Sequence, residues 1–562
     1  MTGDFPVALI LIAGGLLVPL LGRRARTVLT LLLPVAAFAL VLALPEGAHA
    51  QMEFLGAQLV LMRVDRLSLL FSYVFLLATF LAAIYALHED DAMQQAATLL
   101  YAGSALGAVF AGDLLTLFIF LETAAVSSVV LVWARRTRAS FSAGMRYLAV
   151  QLAAGMLILA GIAMRVAAGE GLAFGHIGLD GAGGWPILLG LGIKCAFPLL
   201  HNWLQDAYPE ATATGTVVLS AFTTKLGIYA LARGFAGTEL LIYVGTLMAA
   251  FPIFYAVIEN DLRRVLAYSM NNQLGFMVVG IGIGSELALN GAVAHAFADI
   301  LFKGLLFMSM GAVLFRAGTV KGSELGGLYK SMPWTTGFCI VGAASISAFP
   351  LFSGFVTKSM IMSAAAGEGY LFVWLVLLFA SAGVFHHAGI KIPYFAFFAH
   401  DSGIRCREAP PSMLIAMGGA AALCIGIGCA PGLFYQLLPF AVDYAPYTPT
   451  HILDQLQLLV FSALAFAVLM RTGIYPPELK SVNLDADWTY RRLLPAVAAV
   501  VESGYRHAAA ATRSLLLPLR GVSDRIRAVH QPGGLLERTW TTGGTALWMM
   551  ILLLAYLITY LA

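Results

Sequence analysis

Four charged residues lie deep inside long apolar stretches of the sequence. They are Glu122 in LLTLFIFLETAAVSSVVLV, Lys194 in LLGLGIKCAFPLLHNW, Lys225 in VVLSAFTTKLGIYALA and Lys358 in SISAFPLFSGFVTKSM. A charge at membrane depth costs at least about 2.5 kcal/mol, and residues that bear this cost mark ion pathways and proton relays. A series of them in one chain predicts a path for protons or other ions.

We expect Glu122 to pair with Lys194, because opposite charges stabilise each other's ionised forms. Opening such a pair would let the desolvated lysine release its proton, so the pair could act as an electrostatic switch. Lysine suits this task, whereas arginine stays charged in proteins. The alternatives are a structural carboxylate for Glu122 and lysines that reach the membrane surface, although neither Lys194 nor Lys225 lies near a predicted helix end.

His295, Asp299 and Lys303 follow one another at intervals of four residues in VAHAFADILFKGLLF. This spacing places the three side chains on one helix face, along which a proton could pass between unlike groups. The alternative is a structural ion pair between Asp299 and Lys303 beside a core histidine.

Lys358 lies near the end of its apolar stretch, as expected of a group that loads or releases protons at one surface. His386, His387 and Lys391 occur in GVFHHAGIKIPYFAFF. Adjacent histidines cannot share one helix face, which argues against a zinc site. A role for them in proton loading stays open, because histidine titrates near neutral pH.

The composition requires a membrane environment for these charges. The chain has 562 residues, of which 60% are hydrophobic and 11% charged, and its mean hydropathy is +0.85. About sixteen apolar stretches are long enough to cross a bilayer, which predicts an all-α polytopic membrane protein. A net charge of +3, five cysteines without a CxxC pair and no nucleotide-binding fingerprint predict no nucleic acid, no metal and no cofactor.

The loops predict the orientation of the chain. Arg and Lys concentrate in alternate loops, as in Arg135, Arg136 and Arg138, and the positive-inside rule makes those loops cytoplasmic. The N-terminus is then outside. The chain opens on an apolar stretch without a basic n-region, so we expect no cleaved signal.

The stretch 472–544 is richer in charge than the rest of the chain. RRLLPAVAAVVESGYRHAAAATRSLLLPLRGVSDRIRAV alternates basic and apolar residues, which predicts an amphipathic helix at the interface, interrupted by Pro495 and Pro518. A plain cytoplasmic tail is the alternative. LWMMILLLAYLITYLA then predicts a final membrane span.

Several motifs resemble those of one membrane protein family. They are FLE, GIKCAFPLLHNWLQDAY, TTKLGIYAL, NDLRRVLAYSMNNQLGFMVVGIG, HAFADILFKGLLFMSMG and FPLFSGFVTKSMI, in the family's order and over roughly residues 60–400. The chain thus resembles the proton-translocating antiporter-like subunits, which include the D subunit of Mrp-type Na+/H+ antiporters and the large membrane subunits of respiratory complex I. The resemblance implies about fourteen core helices with two inverted five-helix repeats that contain broken helices, plus extra C-terminal helices.

The resemblance also assigns roles to the residues of the proton path. It implies a key glutamate at Glu122, a broken-helix lysine at Lys194, a connecting lysine at Lys225, a central helix with His295 and Lys303, and a terminal group at Lys358. Three positions depart from the family pattern, namely Gln205 in WLQ, Thr212 after Ala211, and Asp299 in place of a second histidine.

The predicted organisation has six parts. They are N-terminal helices at 1–95, a first antiporter half at 96–232, a second half at 239–398, C-terminal core helices at 399–471, the interfacial or lateral segment at 472–544 and the final span at 545–562.

These observations predict a transporter subunit rather than a stand-alone enzyme. Its expected function is proton translocation within a multisubunit Na+/H+ antiporter of the bacterial inner membrane, with other membrane subunits, lipid, protons and Na+ or K+ as partners. One alternative is the proton-pumping subunit of a redox-driven complex, related to complex I or a membrane-bound hydrogenase. The other is the ion-coupling subunit of an inorganic-carbon uptake complex.

Overall fold

A computed structural model describes residues 5–54, 56–479, 483–534 and 541–561 of the protein. Within these ranges the chain forms 21 α-helices and one β-hairpin, and it divides into two compact units, Met1–Asn483 and Leu484–Ala562. The all-α membrane class is therefore confirmed.

The helices of the first unit fall into three runs along the chain. The first run is α1 (Ala8–Leu17), α2 (Arg23–Leu42), α3 (Arg66–Tyr85), α4 (Ala92–Phe110), α5 (Leu114–Trp133) and α6 (Arg138–Ala167). The second is α7 (Gly184–Lys194), α8 (Asn202–Ala207), α9 (Ala213–Ala221), α10 (Thr223–Gly234), α11 (Leu240–Ile258), α12 (Leu262–Ile283) and α13 (Glu286–Ala317). The third is α14 (Pro333–Ile346), α15 (Ser353–Gly367), α16 (Leu371–Val384), α17 (Pro411–Cys429), α18 (Pro431–Tyr435) and α19 (Pro449–Thr472).

Eleven helices of the described residues are long and apolar enough to cross a membrane, with α9 and α10 counted together. The other five predicted spans coincide with the short α1, with α4 and α12, and with the interrupted pairs α7–α8 and α14–α15. The side-chain amides of α12 lower its hydropathy, and the breaks shorten the helices of the two interrupted pairs. Criteria of length and hydropathy therefore do not select these three spans. The interrupted pairs carry Lys194 and Lys358, whereas Glu122, Lys225 and the residues of α13 lie on helices counted among the eleven.

Both interrupted pairs break at the same tetrapeptide, Ala-Phe-Pro-Leu. In the first break Ala196 and Leu199 have φ angles of 59° and 68°, and in the second Ala348 and Leu351 have 57° and 75°. Left-handed backbone is costly for residues other than glycine, and strain of this kind clusters at functional sites. The recurrence of one strained turn in both halves of the bundle agrees with a fold built from two repeats.

The hydrogen bonds of the two breaks also correspond. The Phe197 N–H donates to Gly192 O at 2.9 Å, and the Phe349 N–H donates to Ala344 O at 3.0 Å. Each bond joins residues five positions apart, one more than in an α-helix. The proline that follows has no N–H to donate. The last carbonyls of α7 and α14 therefore lack the helical partners that an uninterrupted helix would supply.

A β-hairpin, which the sequence did not lead us to expect, joins α2 to α3. Its strands are β1 (Gly47–Phe54) and β2 (Ala57–Val64), and they pair antiparallel. The Val60 N–H donates to Asp113 Oδ2 at 2.8 Å, and Asp113 also caps α5 by accepting from Thr116 N at 2.7 Å. This carboxylate therefore ties the hairpin to the start of the helix that carries Glu122.

The second unit contains α20 (Leu494–His530) and α21 (Thr542–Leu561). α20 runs over 37 residues. The predicted interruption at Pro518 falls in the stretch 515–520, whose side chains lie outside the described part of the structure, so it stays a prediction. Pro495 stands in the first turn of α20, where a missing N–H costs no helical hydrogen bond. The six-part subdivision of the chain stays a prediction.

We predict that Gly354→Ala destabilises the second break. A Cβ at this position would lie 1.9 Å from the carbonyl oxygen of Ser345, so the backbone of the strained turn would have to move. Overpacking of this kind costs about 1–3 kcal/mol. The melting temperature of the purified protein should fall.

The matched control is Gly337→Ala in α14, whose Cβ would meet no atom within 4 Å. Equal melting temperatures for the two variants would contradict the tight contact at the break.

Candidate functional site

The predicted pair between Glu122 and Lys194 is present. Lys194 ends α7, next to the first break, and its Nζ lies 3.4 Å from Glu122 Oε1 and 3.4 Å from Gln151 Oε1. The lysine side chain is 2% exposed, whereas that of Glu122 is 18% exposed. The carboxylate therefore lies at the edge of the bundle and the ammonium lies inside it.

Gly155 of α6 makes room for this pair. A Cβ at Gly155 would lie 2.2 Å from Glu122 Oε1, so any larger residue would push the carboxylate out of place. Gly227 of α10 likewise packs against the end of α7, where its Cβ would lie 2.4 Å from Cys195 Sγ and 3.3 Å from the carbonyl carbon of Lys194. This second contact places α10, with Lys225, directly beside the first pair.

Lys225 forms a second buried ion pair, with Asp299. Its Nζ lies 2.7 Å from Asp299 Oδ2, and both side chains are 0% exposed. Lys225 also donates to Ser220 O at 3.0 Å, in the last turn of α9, where the chain kinks at Phe222 before α10 begins. A fully buried pair of this kind is isolated from water, so each charge depends on the other.

The structure corrects the alternative that paired Asp299 with Lys303. The two residues do share one face of α13, but α10 packs across that face and brings Lys225 to the carboxylate. Lys303 instead donates to Ser269 Oγ of α12 at 2.9 Å. Lys303 and Lys358 are further charged neighbours of Asp299, whose ion pair is with Lys225.

His295 is held between two polar side chains. Its Nε2 lies 2.9 Å from Gln273 Oε1, and its Nδ1 lies 2.9 Å from Thr357 Oγ1. Because the Gln273 amide nitrogen already donates to Asn272, its oxygen accepts, and the proton of a neutral His295 sits on Nε2. The other ring nitrogen then faces the hydroxyl of α15.

Lys358 lies beside the second break. Its Nζ donates to Ile346 O at 3.1 Å and stands 5.0 Å from the centre of the Phe276 ring, which adds a cation–π contact. Ile346 and Lys194 occupy equivalent positions, each two residues before the Ala-Phe-Pro-Leu turn of its own break. A carbonyl at the second break thus solvates the ammonium of Lys358.

A cavity of about 180 Å³ adjoins Lys358. Its lining includes His451, Asp454 and Gln455 from the first turns of α19. The buried lysine therefore has an opening on one side, as expected of a group at the end of a path.

The structure brings the seven predicted residues into two adjacent groups. Glu122 and Lys194 form the first group, and the second contains Lys225, His295, Asp299, Lys303 and Lys358. Polar partners that the sequence analysis did not single out surround both groups, namely Gln151, Ser269, Gln273 and Thr357, all of them 0% exposed. Three consecutive amides in the apolar helix α12 were the signal that could have revealed part of this polar shell.

The seven site residues all lie within the part of the chain that one family model matches. The family model described as NADH:quinone oxidoreductase/Mrp antiporter, TM, matches residues 111–385. NADH-quinone oxidoreductase subunit N of Desulforudis audaxviator is 31% identical over 377 residues, which cover 60% of this chain and 74% of that protein. The chain belongs to the NADH:quinone oxidoreductase/Mrp antiporter family.

Other relatives within this family have diverse names. Hydrogenase-4 component B of Escherichia coli is 28% identical over 55% of this chain and 52% of its own length. The D subunit of the Na(+)/H(+) antiporter of Alkalihalophilus pseudofirmus is 29% identical over 50% of this chain and 62% of its own length. The chain thus spans between half and two thirds of the length of these two relatives. One is named as a hydrogenase component and the other as an antiporter subunit.

Solved structures of two family complexes share the fold. A chain of the Mrp complex from Dietzia sp. DQ12-45-1b matches with a TM-score of 0.68 and 21% identity, over 82% of this chain and 98% of that one. A chain of an archaeal membrane-bound sulfane sulfur reductase matches with a TM-score of 0.68 and 26% identity, over 82% and 99%. Both are subunits of multisubunit membrane complexes, and this family member is likewise a multi-pass membrane protein.

We predict that Asp299→Asn destabilises the protein by about 3–5 kcal/mol, because it leaves Lys225 buried without its counter-charge. The double variant Asp299→Asn, Lys225→Met should recover most of the lost melting temperature. Asp90→Asn, at a carboxylate 46% exposed, is the control and should melt as the native protein does. A single Asp299→Asn variant as stable as the native protein would contradict the pairing.

Proposed function

We propose that the chain moves protons along its buried charged residues as a membrane subunit of a multisubunit monovalent cation/proton antiporter. The observation that carries this proposal is the fully buried Lys225–Asp299 pair, with Lys303, Lys358 and His295 around it. A fold can be maintained at lower cost with apolar residues at these positions, so the retention of the charges favours transport. The likeness to the D subunit of a Na(+)/H(+) antiporter supports the cation/proton class.

The proposed path begins in the second group. A proton is held by Lys303 and His295, where a hydroxyl and an amide already position both side chains. It passes to Lys225, whose charge Asp299 balances. Lys358 connects this group to a surface through the cavity beside α19.

The first group acts as the switch in this scheme. While Glu122 lies near Lys194, the ammonium is stabilised, and it keeps its proton. When the carboxylate moves away, desolvation disfavours the charge, and the proton leaves along the path. The 3.4 Å separation, longer than a tight ion pair, agrees with a contact that opens readily.

The exposure of one face of α5 supports the presence of a partner subunit beside it. Glu122 lies on the same helix face as Ile119 and Val126, which are 50% and 54% exposed. A carboxylate beside lipid would be costly, so we propose that a neighbouring membrane subunit covers this face. The complex would reside in the bacterial inner membrane, with the N-terminus outside and the predicted six-part organisation.

A redox-driven proton pump is the second candidate. Its support is the likeness to NADH-quinone oxidoreductase subunit N, of which the chain covers 74%. The same buried path would then be driven by electron transfer in partner subunits. An ion-coupling subunit for inorganic-carbon uptake is a further candidate with the same path.

We predict that Lys194→Ala abolishes proton transport without preventing assembly. The variant removes the ammonium on which the switch acts, while a small residue at the end of α7 leaves the break in place. The measurement is cation-dependent proton movement into membrane vesicles, followed with a pH-sensitive dye and normalised to the amount of assembled subunit.

Lys321→Ala, at a side chain 49% exposed, is the control and should transport normally. Full transport by Lys194→Ala would refute the proposed mechanism.

The partners of the native protein distinguish the candidate functions. We predict that gentle detergent purification of the tagged protein recovers several small hydrophobic subunits and a second large antiporter-like chain, identified by mass spectrometry. Recovery of iron–sulfur, flavin or hydrogenase-like subunits would favour the redox-driven pump instead. A single large soluble partner would favour the carbon-uptake complex.

A further inference from the structure

A second set of buried titratable groups lies at the end of α16 and is not used by the path described above. There the helix continues as two π-helical turns, Phe385–Lys391 and Tyr394–Phe398. π-Helical turns are rare and occur frequently at functional sites. The first turn carries His386 and His387 and ends at Lys391.

His387 has an unusual environment for a core histidine. Its side chain is fully buried, and neither ring nitrogen makes a hydrogen bond of normal geometry among the described residues, although the backbone of Gly383 lies close by. Lys391 follows about one turn later in the same π-helical stretch, and Lys303 of α13 is a charged neighbour. A buried imidazole normally finds a good partner, so one without it near two lysines points to a group that accepts and releases a proton.

Lys391 is held at the end of α11. Its Nζ donates to the carbonyl oxygens of Val257 at 2.6 Å, Glu259 at 2.7 Å and Ala256 at 3.2 Å. These carbonyls form the negative end of the helix dipole and stabilise an ammonium there. Lys391 is fully buried and lies four residues, about one turn, beyond His387.

Glu478 completes the series from outside the membrane spans. Its Oε1 lies 3.0 Å from Lys391 Nζ, and its side chain is 6% exposed. Burial raises the pKa of Glu478, and the attraction of Lys391 opposes this change. Because these two influences oppose each other, the Glu478 carboxylate can change its protonation state more readily than one fixed in a salt bridge alone.

The segment after α19 is packed so that it holds Glu478 in place. The Tyr475 ring contacts those of Phe466 and His386 at centroid distances of 5.3 and 5.5 Å. Asn483 donates to Glu259 Oε2 at 3.2 Å beyond it. These contacts place the segment at the side of the bundle where α11 ends and α12 begins, which the charged loops predict to be cytoplasmic.

We propose that Glu478, Lys391 and His387 form a proton-loading branch that connects this surface to Lys303. The inference rests on the proposed function, since it supplies protons to the same buried row. A hydronium ion protonates the Glu478 carboxylate and leaves as water, and Lys391 transfers a proton from its ammonium to His387. Glu478 then passes its proton to the neutral Lys391 amine, and the His387 imidazolium passes its proton to the neutral amine of Lys303.

The test uses the complete complex in membranes of the host organism, with each variant in place of the native gene. Glu478→Gln and His387→Gln should each lower cation-dependent proton movement about tenfold at unchanged amounts of assembled subunit, because neither glutamine can relay a proton. Glu478→Asp should keep most of the rate. Asp401→Asn is the matched control, since Lys330 and Arg405 already pair with that carboxylate at the predicted same surface.

Formate separates a proton-loading role from a structural one. A small weak acid can carry protons to a site that has lost its carboxylate, so formate should restore much of the rate of Glu478→Gln relative to Asp401→Asn in the same formate. It should not restore a site that is merely distorted. Loss of transport that formate leaves unchanged would overturn the proposal.

Further outcomes of these experiments test the branch and the proposed function separately. Should Glu478→Gln fail to assemble, His387→Gln decides, because it removes no side-chain hydrogen bond of normal geometry that the described structure contains. A native rate for His387→Gln would overturn the branch. Native vesicles without cation-dependent proton movement, or a Lys194→Ala variant that transports normally, would instead refute the proposed function, and these two measurements are independent of the branch.

Discussion

A buried ammonium needs oxygen atoms around it, and an unbroken helix in lipid has none to spare because its own N–H groups occupy its carbonyls. This constraint shapes the bundle. Lys194 ends a helix at the first break, and Lys225 donates to a carbonyl at the kink between α9 and α10. Lys358 donates to a carbonyl at the second break. The interruptions thus supply a carbonyl acceptor to Lys225 and Lys358, whereas Lys194 beside the first break is compensated by the side chains of Glu122 and Gln151.

Carboxylates balance the charges of Lys194 and Lys225, and the two carboxylates differ in their burial and in their distance from the lysine. Glu122 lies at the edge of the bundle and meets its lysine at 3.4 Å, whereas Asp299 is fully buried and meets its lysine at 2.7 Å. A loose pair at an edge can open when a neighbouring subunit moves, while a tight pair in the centre keeps the core charge-balanced. The two pairs therefore suit different tasks, the first as a switch and the second as a fixed point along the path.

Carbonyls and a carboxylate also compensate the buried ammonium of Lys391, at the π-helical end of α16. There the carbonyls come from the end of α11, and the carboxylate comes from Glu478, far along the chain. The lysines of the path and of the branch thus each have an acceptor from a helix terminus or a polar side chain, whereas the His387 ring has no well-placed partner among the described residues. That difference is why His387 is the residue on which the additional branch depends.

The sequence by itself determined the class of the protein, and it singled out seven charged or titratable residues as candidates for a proton path, because a charge within an apolar stretch stands out against the cost of burying it. It also predicted the Glu122–Lys194 pair. Only the tertiary structure decided that Asp299 faces Lys225 rather than Lys303, since the choice between partners depends on how α10 packs across α13. The contact of Glu478 with Lys391 and the strained Ala-Phe-Pro-Leu turns also needed the fold. The spacing of residues along one helix fixes which side chains share a face, but only packing between helices fixes what that face meets.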